Sequence, residues 1–257
     1  MEPILSLVNV FKSYGEKQVL KGINLNIYPG QVIGYIGPNG AGKSTTVKII
    51  CGLISDFEGE VLVNGLDIKK DALLVKSKIG YVPELAELYD VLTPIEFLSF
   101  MAELYMLNEQ IANERMTKML IAFGLEAVMN QRMETFSKGM RQKVLIISGL
   151  LHNPDILILD EPLSGLDANS VITVKDLISK LAKEGKTIFY SSHMMDVVEK
   201  VSDRIILINN GTVIADGSFE ELKQQQGDKS LEQIFSYLTQ GSNNNNAASQ
   251  LMDAFNN

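Results

Sequence analysis

The run Gly37-Pro38-Asn39-Gly40-Ala41-Gly42-Lys43-Ser44-Thr45 constrains this chain more than any other stretch. It follows a compact apolar segment, Gln31–Ile36, and precedes a helical pattern that continues through Ile50. Strand, glycine-rich loop and helix form the context that gives the P-loop pattern its meaning. Its glycines let the backbone fold tightly enough for N–H groups to point inward at phosphate oxygens. The positive end of the following helix adds to that field. In this arrangement Lys43 reaches the β- and γ-phosphates, and the Ser44 hydroxyl is offered to Mg²⁺.

A second segment completes a phosphate site. Ile156-Leu157-Ile158-Leu159-Asp160-Glu161 is an apolar strand ending in two acids, which puts Asp160 at the carboxyl end where open α/β sheets bind ligands. Asp160 is the candidate for holding Mg²⁺ through water. Glu161 comes next, placed to orient and polarise an attacking water, a role worth about 10²–10⁴ in rate.

The rest of the chain has three parts. Before the glycine-rich loop, Ile4–Phe11 and Leu20–Ile27 read as strands around a loop at Tyr14-Gly15-Glu16-Lys17. After it, Gly59–Leu66 with its Asn64-Gly65 turn signal and Ile79–Val82 read as strands. From Pro94 to about Gly149 the pattern becomes helical, with Thr93 as N-cap, Pro94 at the first position and Glu96 at the third. Seven of the eleven methionines fall there, a residue that fills irregular cores and suits surfaces that repack. Beyond Pro154, strands and helices alternate: Thr187–Ser191, Arg204–Ile208 and Thr212–Ala215 as strands, Asn169–Glu184 and Met194–Val201 as helices. Residues 218–239 read as helical. Gly241–Asn246 is a polar linker, and the last ten residues form at most a short amphipathic helix. Strands alternating with helices imply an α/β core with a parallel sheet.

Composition narrows the setting. A net charge of −8 argues against an electrostatic grip on nucleic acid or anionic lipid. No apolar run approaches the roughly 18 residues that a membrane-spanning helix needs. Met1-Glu2-Pro3-Ile4 lacks the basic start and apolar block of a secretory leader. The single cysteine, Cys51, fits a reducing compartment, and a cytoplasmic chain is the expectation.

Four further stretches carry a resemblance. Phe136-Ser137-Lys138-Gly139-Met140-Arg141-Gln142 lies upstream of the acidic strand end and resembles the ABC signature sequence LSGGQ. Ser164-Gly165-Leu166-Asp167 resembles the D-loop, and His193 in Ser191-Ser192-His193 the switch histidine. Tyr14 stands where the family has the aromatic that stacks on adenine. The order is the family's, and the resemblance to ABC transporter ATP-binding subunits spans about residues 3–239. It implies a P-loop NTPase (RecA-like) core with an N-terminal antiparallel β subdomain and an inserted helical subdomain at about 85–150, the whole domain being 1–239 and the Asn-rich tail 240–257. It also implies an ATPase using ATP and Mg²⁺, with Glu161, His193 and Lys43 catalytic. The nucleotide would be bound by Tyr14 and residues Gly37, Pro38, Asn39, Gly40, Ala41, Gly42, Lys43, Ser44 and Thr45. Ser137 and Gly139 of a second copy or a related subunit would complete the site across the γ-phosphate.

The resemblance has departures. The Q-loop position carries Glu84 instead of glutamine, still an oxygen donor for Mg²⁺ beside Ser44 and Asp160, but one that adds negative charge. Lys138 replaces the signature's first glycine, where its charge could offset that of Glu84, and Met140 replaces its glutamine. With one motif set and no membrane segment, the chain would pair with another copy and serve a separate membrane subunit from the cytoplasmic face. The resemblance implies that this docking falls between the Q-loop and the helical subdomain, near residues 84–105. There Leu85, Leu88, Tyr89, Phe97, Phe100 and Tyr105 suit an apolar groove for an amphipathic helix, Phe97 and Phe100 being equally suited to filling the subdomain core. The Tyr81-Val82-Pro83-Glu84 and signature variants, with Leu231–Phe235, look most like ABC-2-type exporters. A ribosome-acting relative would carry two motif sets. A DNA-repair relative would insert coiled coils or zinc modules where fewer than 100 residues stand here. A binding-only subunit would not keep Lys43, Asp160, Glu161 and His193.

Overall fold

The computed structural model describes residues 1–85 and 88–240, so the polar linker and closing helix expected after residue 240 lie outside the described residues. Two strands open the chain, β1 (Leu5–Tyr14) and β2 (Lys17–Ile27), an antiparallel hairpin turning at Gly15-Glu16. Then come β3 (Val32–Ile36), α1 (Lys43–Ile50), β4 (Glu58–Val63), β5 (Leu66–Asp67), α2 (Ala72–Lys78) and β6 (Ile79–Val82). Three helices follow, α3 (Pro94–Leu104), α4 (Glu109–Ala122) and α5 (Lys138–Leu150). The chain returns through β7 (Ile156–Asp160), α6 (Ala168–Lys183), β8 (Thr187–Ser191), α7 (Met195–Val201), β9 (Arg204–Asn209) and β10 (Thr212–Gly217). It closes with α8 (Phe219–Gln226) and α9 (Leu231–Gln240).

The strands form two sheets. One is antiparallel, in the order β2-β1-β4-β5. The other runs β10-β9-β3-β8-β7-β6, parallel except for β10 at its edge. The parallel strands are apolar on both faces because both are covered. Ile33, Tyr35, Ile156, Ile158, Phe189 and Ile206 join α1 and the first sheet in one core, while Val32, Ile36, Leu157, Leu159, Tyr190 and Leu207 join the helices in the other. Arg204 pins the two sheets together, donating to both carboxylate oxygens of Asp216 at 2.6 and 2.7 Å and to Asn26 O at 2.7 Å.

Two features fix the helical subdomain. Thr93 and Glu96 form a reciprocal cap, Glu96 N donating to Thr93 Oγ1 at 3.2 Å and Thr93 N to Glu96 Oε2 at 2.8 Å. Such a cap is worth about 1 kcal/mol. At the other end, α5 lies directly on β6. A Cβ on Gly80 would stand 2.0 Å from Gly149 O, so only glycine permits this approach. The helix that begins beside Ser137 is thereby seated next to the strand that ends in Asp160.

Two local expectations differ from the structure. The helical reading of 218–239 is interrupted at Gly227, whose φ of 85° breaks it into α8 and α9. Helix α2 has no counterpart in the sequence reading: it is short, and only Val75 of its seven residues is buried, too little for a visible apolar period.

Candidate functional site

The glycine-rich loop is shaped by the backbone alone. Gly42 caps α1 at φ 113°, outside what an L side chain readily adopts. A Cβ on Gly37 would stand 2.3 Å from Ile208 O of β9, so the loop can lie this close to the sheet only with glycine there. Lys43 folds back over the loop, its ammonium donating to Gly37 O at 2.6 Å and Pro38 O at 3.3 Å. Ala41 is buried beneath, and Asn39, Gly40, Gly42, Ser44 and Thr45 face the open space in front.

That space is a cavity of about 560 Å³. Its remaining walls are Lys17, Val19, Glu84, Asp160, Glu161 and His193. The parallel sheet brings them together: β7 runs beside β8, and their carboxyl ends deliver Asp160 opposite Ser191. Immediately after β7 the chain bends, with Glu161 in the left-handed region at φ 49°. Such a residue costs about 1–2 kcal/mol, and the bend is held by Glu161 N donating to Ser191 O at 2.9 Å. The Glu161 carboxylate is nearly buried. His193 Nδ1 lies 2.8 Å from its Oε1, and the Ser192 hydroxyl donates to Oε2 at 3.3 Å. An ionised carboxylate only accepts, so Nδ1 carries the proton in this contact. The His193 ring itself is 74% exposed, free to turn toward a ligand.

Three carboxylates and two ammonium groups share this cavity. Burial pushes Asp160 above the usual carboxylate range, and the charges of Glu84 and Glu161 add to that push while Lys43 opposes it. Burial likewise pulls Lys43 below its ordinary value, countered by Glu161, Asp160 and Glu84. Each group is stabilised in its charged form by the other, and a polyanion entering in front of Lys43 would reinforce the ammonium.

The donor set also bears on a metal. Ser44, Asp160 and Glu84 present only oxygens to the cavity, the chemistry of a hard cation. Among the described residues no group of three or more His, Cys, Asp or Glu is set to hold a metal. Mg²⁺ is commonly held by one or two carboxylates together with substrate phosphates and water, and Asp160 and Glu84 are carboxylates of that kind.

Besides Gly37, Pro38 and Ala41, which belong to the loop but do not line the cavity, three residues expected at the site lie outside this wall. Tyr14 is at the hairpin tip, 51% exposed, with the Lys12 ammonium 4.8 Å from its ring centre; its cross-strand partner Lys17 lines the cavity instead. Ser137 caps α5, its hydroxyl accepting from Met140 N at 3.2 Å. Gly139 lies against the 164–167 loop of its own chain, where a Cβ would stand 2.6 Å from Gly165 O. Conversely, the sequence reading missed Lys17 and Val19. The signal was available: two residues apart on a strand, they share one face.

Comparison with known proteins agrees with this geometry. The family model described as ABC transporter matches residues 20–164. The linearmycin resistance ATP-binding protein LnrL of Bacillus subtilis (strain 168) is 38% identical over 231 residues, 90% of this chain and 74% of that protein. A solved structure of an ATP-binding subunit of an ABC transporter superposes with a TM-score of 0.87 at 31% identity, covering 91% of this chain and 99% of that one. A dimeric post-hydrolysis state of the ATP-binding cassette MJ0796, bound to ADP and Pi, gives 0.77 at 31% identity, covering 83% and 98%.

Proposed function

This chain belongs to the ABC transporter family as an ATPase subunit, and from that premise we propose that it hydrolyses Mg²⁺-ATP between two copies to drive export through a separate membrane subunit. The observation that carries the reading is the pairing of Glu161 with His193 at 2.8 Å on the wall of the cavity that the P-loop opens.

Each residue then has a task. Backbone N–H groups of Gly40 to Thr45 and the start of α1 hold the phosphates. Lys43 leaves the Gly37 and Pro38 carbonyls for the β- and γ-phosphate oxygens. Ser44, Asp160 and Glu84 would hold Mg²⁺, which neutralises charge developing on the phosphates when bound. Glu161 polarises the attacking water, and His193 turns from Glu161 toward the γ-phosphate. Tyr14 stacks on the base from the hairpin tip, on the side where Lys17 and Val19 already form wall.

Neither Ser137 nor Gly139 lines the cavity of its own chain, which supports a site completed in trans. A helix N-terminus offers donors to an anion, so the γ-phosphate would glue the halves and its loss would let them part. The membrane subunit would dock near residues 84–105, where Met101 and Tyr105 of that stretch wall a groove of about 250 Å³ together with Leu53, Lys76 and Tyr81 from outside it. None of the described helices is long and apolar enough to cross a membrane, in keeping with a peripheral place on the cytoplasmic face. Export is the direction suggested by the resistance function in the name of LnrL and by the exporter-like Glu84 and Lys138 variants.

The test is the oligomeric state of Glu161→Gln by light scattering, alongside phosphate release by the unmodified chain. A dimer with Mg²⁺-ATP that separates with Mg²⁺-ADP is the expected result. A monomer in both, despite bound nucleotide, would refute self-pairing.

A further inference from the structure

The segment from Glu161 to Asp167 follows the catalytic carboxylate and consists of two consecutive tight turns. Ser164 N donates to Glu161 O at 3.2 Å, and Leu166 N to Leu163 O at 3.2 Å. Asp167 then caps α6, accepting from Ser170 N at 3.0 Å and from the Ser170 hydroxyl at 2.5 Å. A loop so closed on itself moves as a unit, and Glu161 is its first residue.

Three contacts join this loop to the first turns of α5. The Lys138 ammonium donates to Ser164 Oγ at 2.8 Å. Gly139 is packed so closely on Gly165 that a Cβ there would meet its carbonyl oxygen at 2.6 Å. The Lys143 ammonium lies 3.5 Å from Asp167 Oδ2. The Lys138 stem also lies along Gly165, whose missing side chain leaves it room. Lys138 occupies a position where the family's signature has glycine, which could make no such bond.

We propose that Lys138 is a positioning residue for hydrolysis in its own chain, acting through Ser164 to set the placement of Glu161. Ser137 is the neighbour of Lys138 and caps the same helix. When the partner's nucleotide engages that cap, the ammonium carries the displacement to Ser164, and the closed loop carries it to the carboxylate. Each copy thus reports the occupancy of its partner's site to its own catalytic acid. This inference rests on the proposed split site, but the tether itself is a feature of the single chain.

A double-mutant cycle tests it, with Lys138→Met, Ser164→Ala and the pair, all at exposed or half-buried positions where folding is preserved. We expect each single change to lower kcat for ATP by about tenfold, less than the roughly 10²-fold that a full ångström of misplacement brings, with KM little changed. The double variant should be no slower than either single one, and Lys138→Arg should retain most of the rate. Multiplicative losses, a neutral Ser164→Ala, or a change confined to KM would overturn the proposal and point to Lys138 acting directly on the partner's phosphate. Hydrogen exchange on the nucleotide-free protein gives a readout independent of activity. Lys138→Met should lower amide protection at residues 164–166, and unchanged protection would refute the tether. If the unmodified chain fails to hydrolyse ATP, the split-site reading falls while the exchange experiment still decides the tether.

Discussion

The cavity in front of the P-loop and the groove beside α3 are both concave, but they are built from different materials. The cavity, about 560 Å³, gathers three carboxylates, two ammonium groups and a histidine around backbone N–H donors. The groove, about 250 Å³, is walled by Cys51, Leu53, Ile79, Tyr81, Met101 and Tyr105, with Lys76 the one charged group among the described residues that line it. One surface is made by backbone shape and strand-end charges, and the other by side chains of α2, α3, α5 and β6 packed side by side. The first suits a small polyanion held by electrostatics, the second an apolar segment held by area. On the groove wall Leu53 is left exposed, whereas Phe97, for which docking and core filling were equally open in the sequence, is buried at 6% and belongs to the core. Phe100 remains 42% exposed, edge-on to Tyr89.

If the contrast holds, the two regions respond to different insults. The largest effect belongs to the cavity. Glu161→Gln, which keeps shape and removes charge, should slow phosphate release by about 10²–10⁴ while leaving nucleotide binding intact by fluorescence titration. Loss of binding instead would mean the carboxylate serves structure rather than chemistry.

Gly80→Ala comes next and acts on the frame that holds both regions. Its Cβ would drive α5 off β6, costing about 3 kcal/mol as an overpacked core does. Urea unfolding monitored by circular dichroism should show the midpoint fall. An unchanged midpoint would mean α5 can slide on β6 without loss.

A smaller effect concerns pH beneath the groove. His152 stacks on Tyr105, ring centres 3.7 Å apart, and its Nε2 donates to Ile79 O at 3.1 Å. Burial lowers it to about 4, from 6.5 for an exposed imidazole, and the nearby Lys186 and Arg115 disfavour its charge further. The unfolded chain therefore binds a proton that the folded chain refuses. This contribution is full above about pH 6.5 and is lost as pH falls toward 4. His152→Phe should flatten the slope of melting temperature against pH in that window, and an unaltered slope would assign it to other groups.

The smallest expected change is at the groove surface. Leu53→Asp should leave ATP hydrolysis by the isolated chain within about twofold, as surface substitutions do to stability, yet abolish stimulation by co-expressed membrane subunit in vesicles. A hydrolysis defect in the isolated chain would erase the distinction between the two regions.

The regions also differ in how much of each was legible beforehand. The P-loop, Asp160 and Glu161 were readable as local patterns, a loop between strand and helix and a strand ending in acids, whereas His193 was named only through the family resemblance; all of them contribute to the cavity wall. The parallel sheet then had little freedom in where to put them, since strand carboxyl ends gather on one edge. The helix start at Thr93 was legible for the same reason, a cap being a property of four consecutive residues. His152 was not. It lies in no motif, and only the folded chain gives it Tyr105 and Ile79 as partners. Lys17 and Val19 share a strand face that the sequence could have shown, but which space that face meets was decided only by the first sheet folding over the second.

The sequence by itself determined the family and named the glycine loop, lysine and carboxylates that line the cavity, because these are residue types at fixed short spacings. What only the tertiary structure decided was which distant residues meet: Lys138 on Ser164, Gly80 under Gly149, Tyr105 on His152. Those pairings depend on how helices pack on a sheet. That packing follows from summed apolar burial and a few close backbone approaches, and no stretch of adjacent residues encodes it.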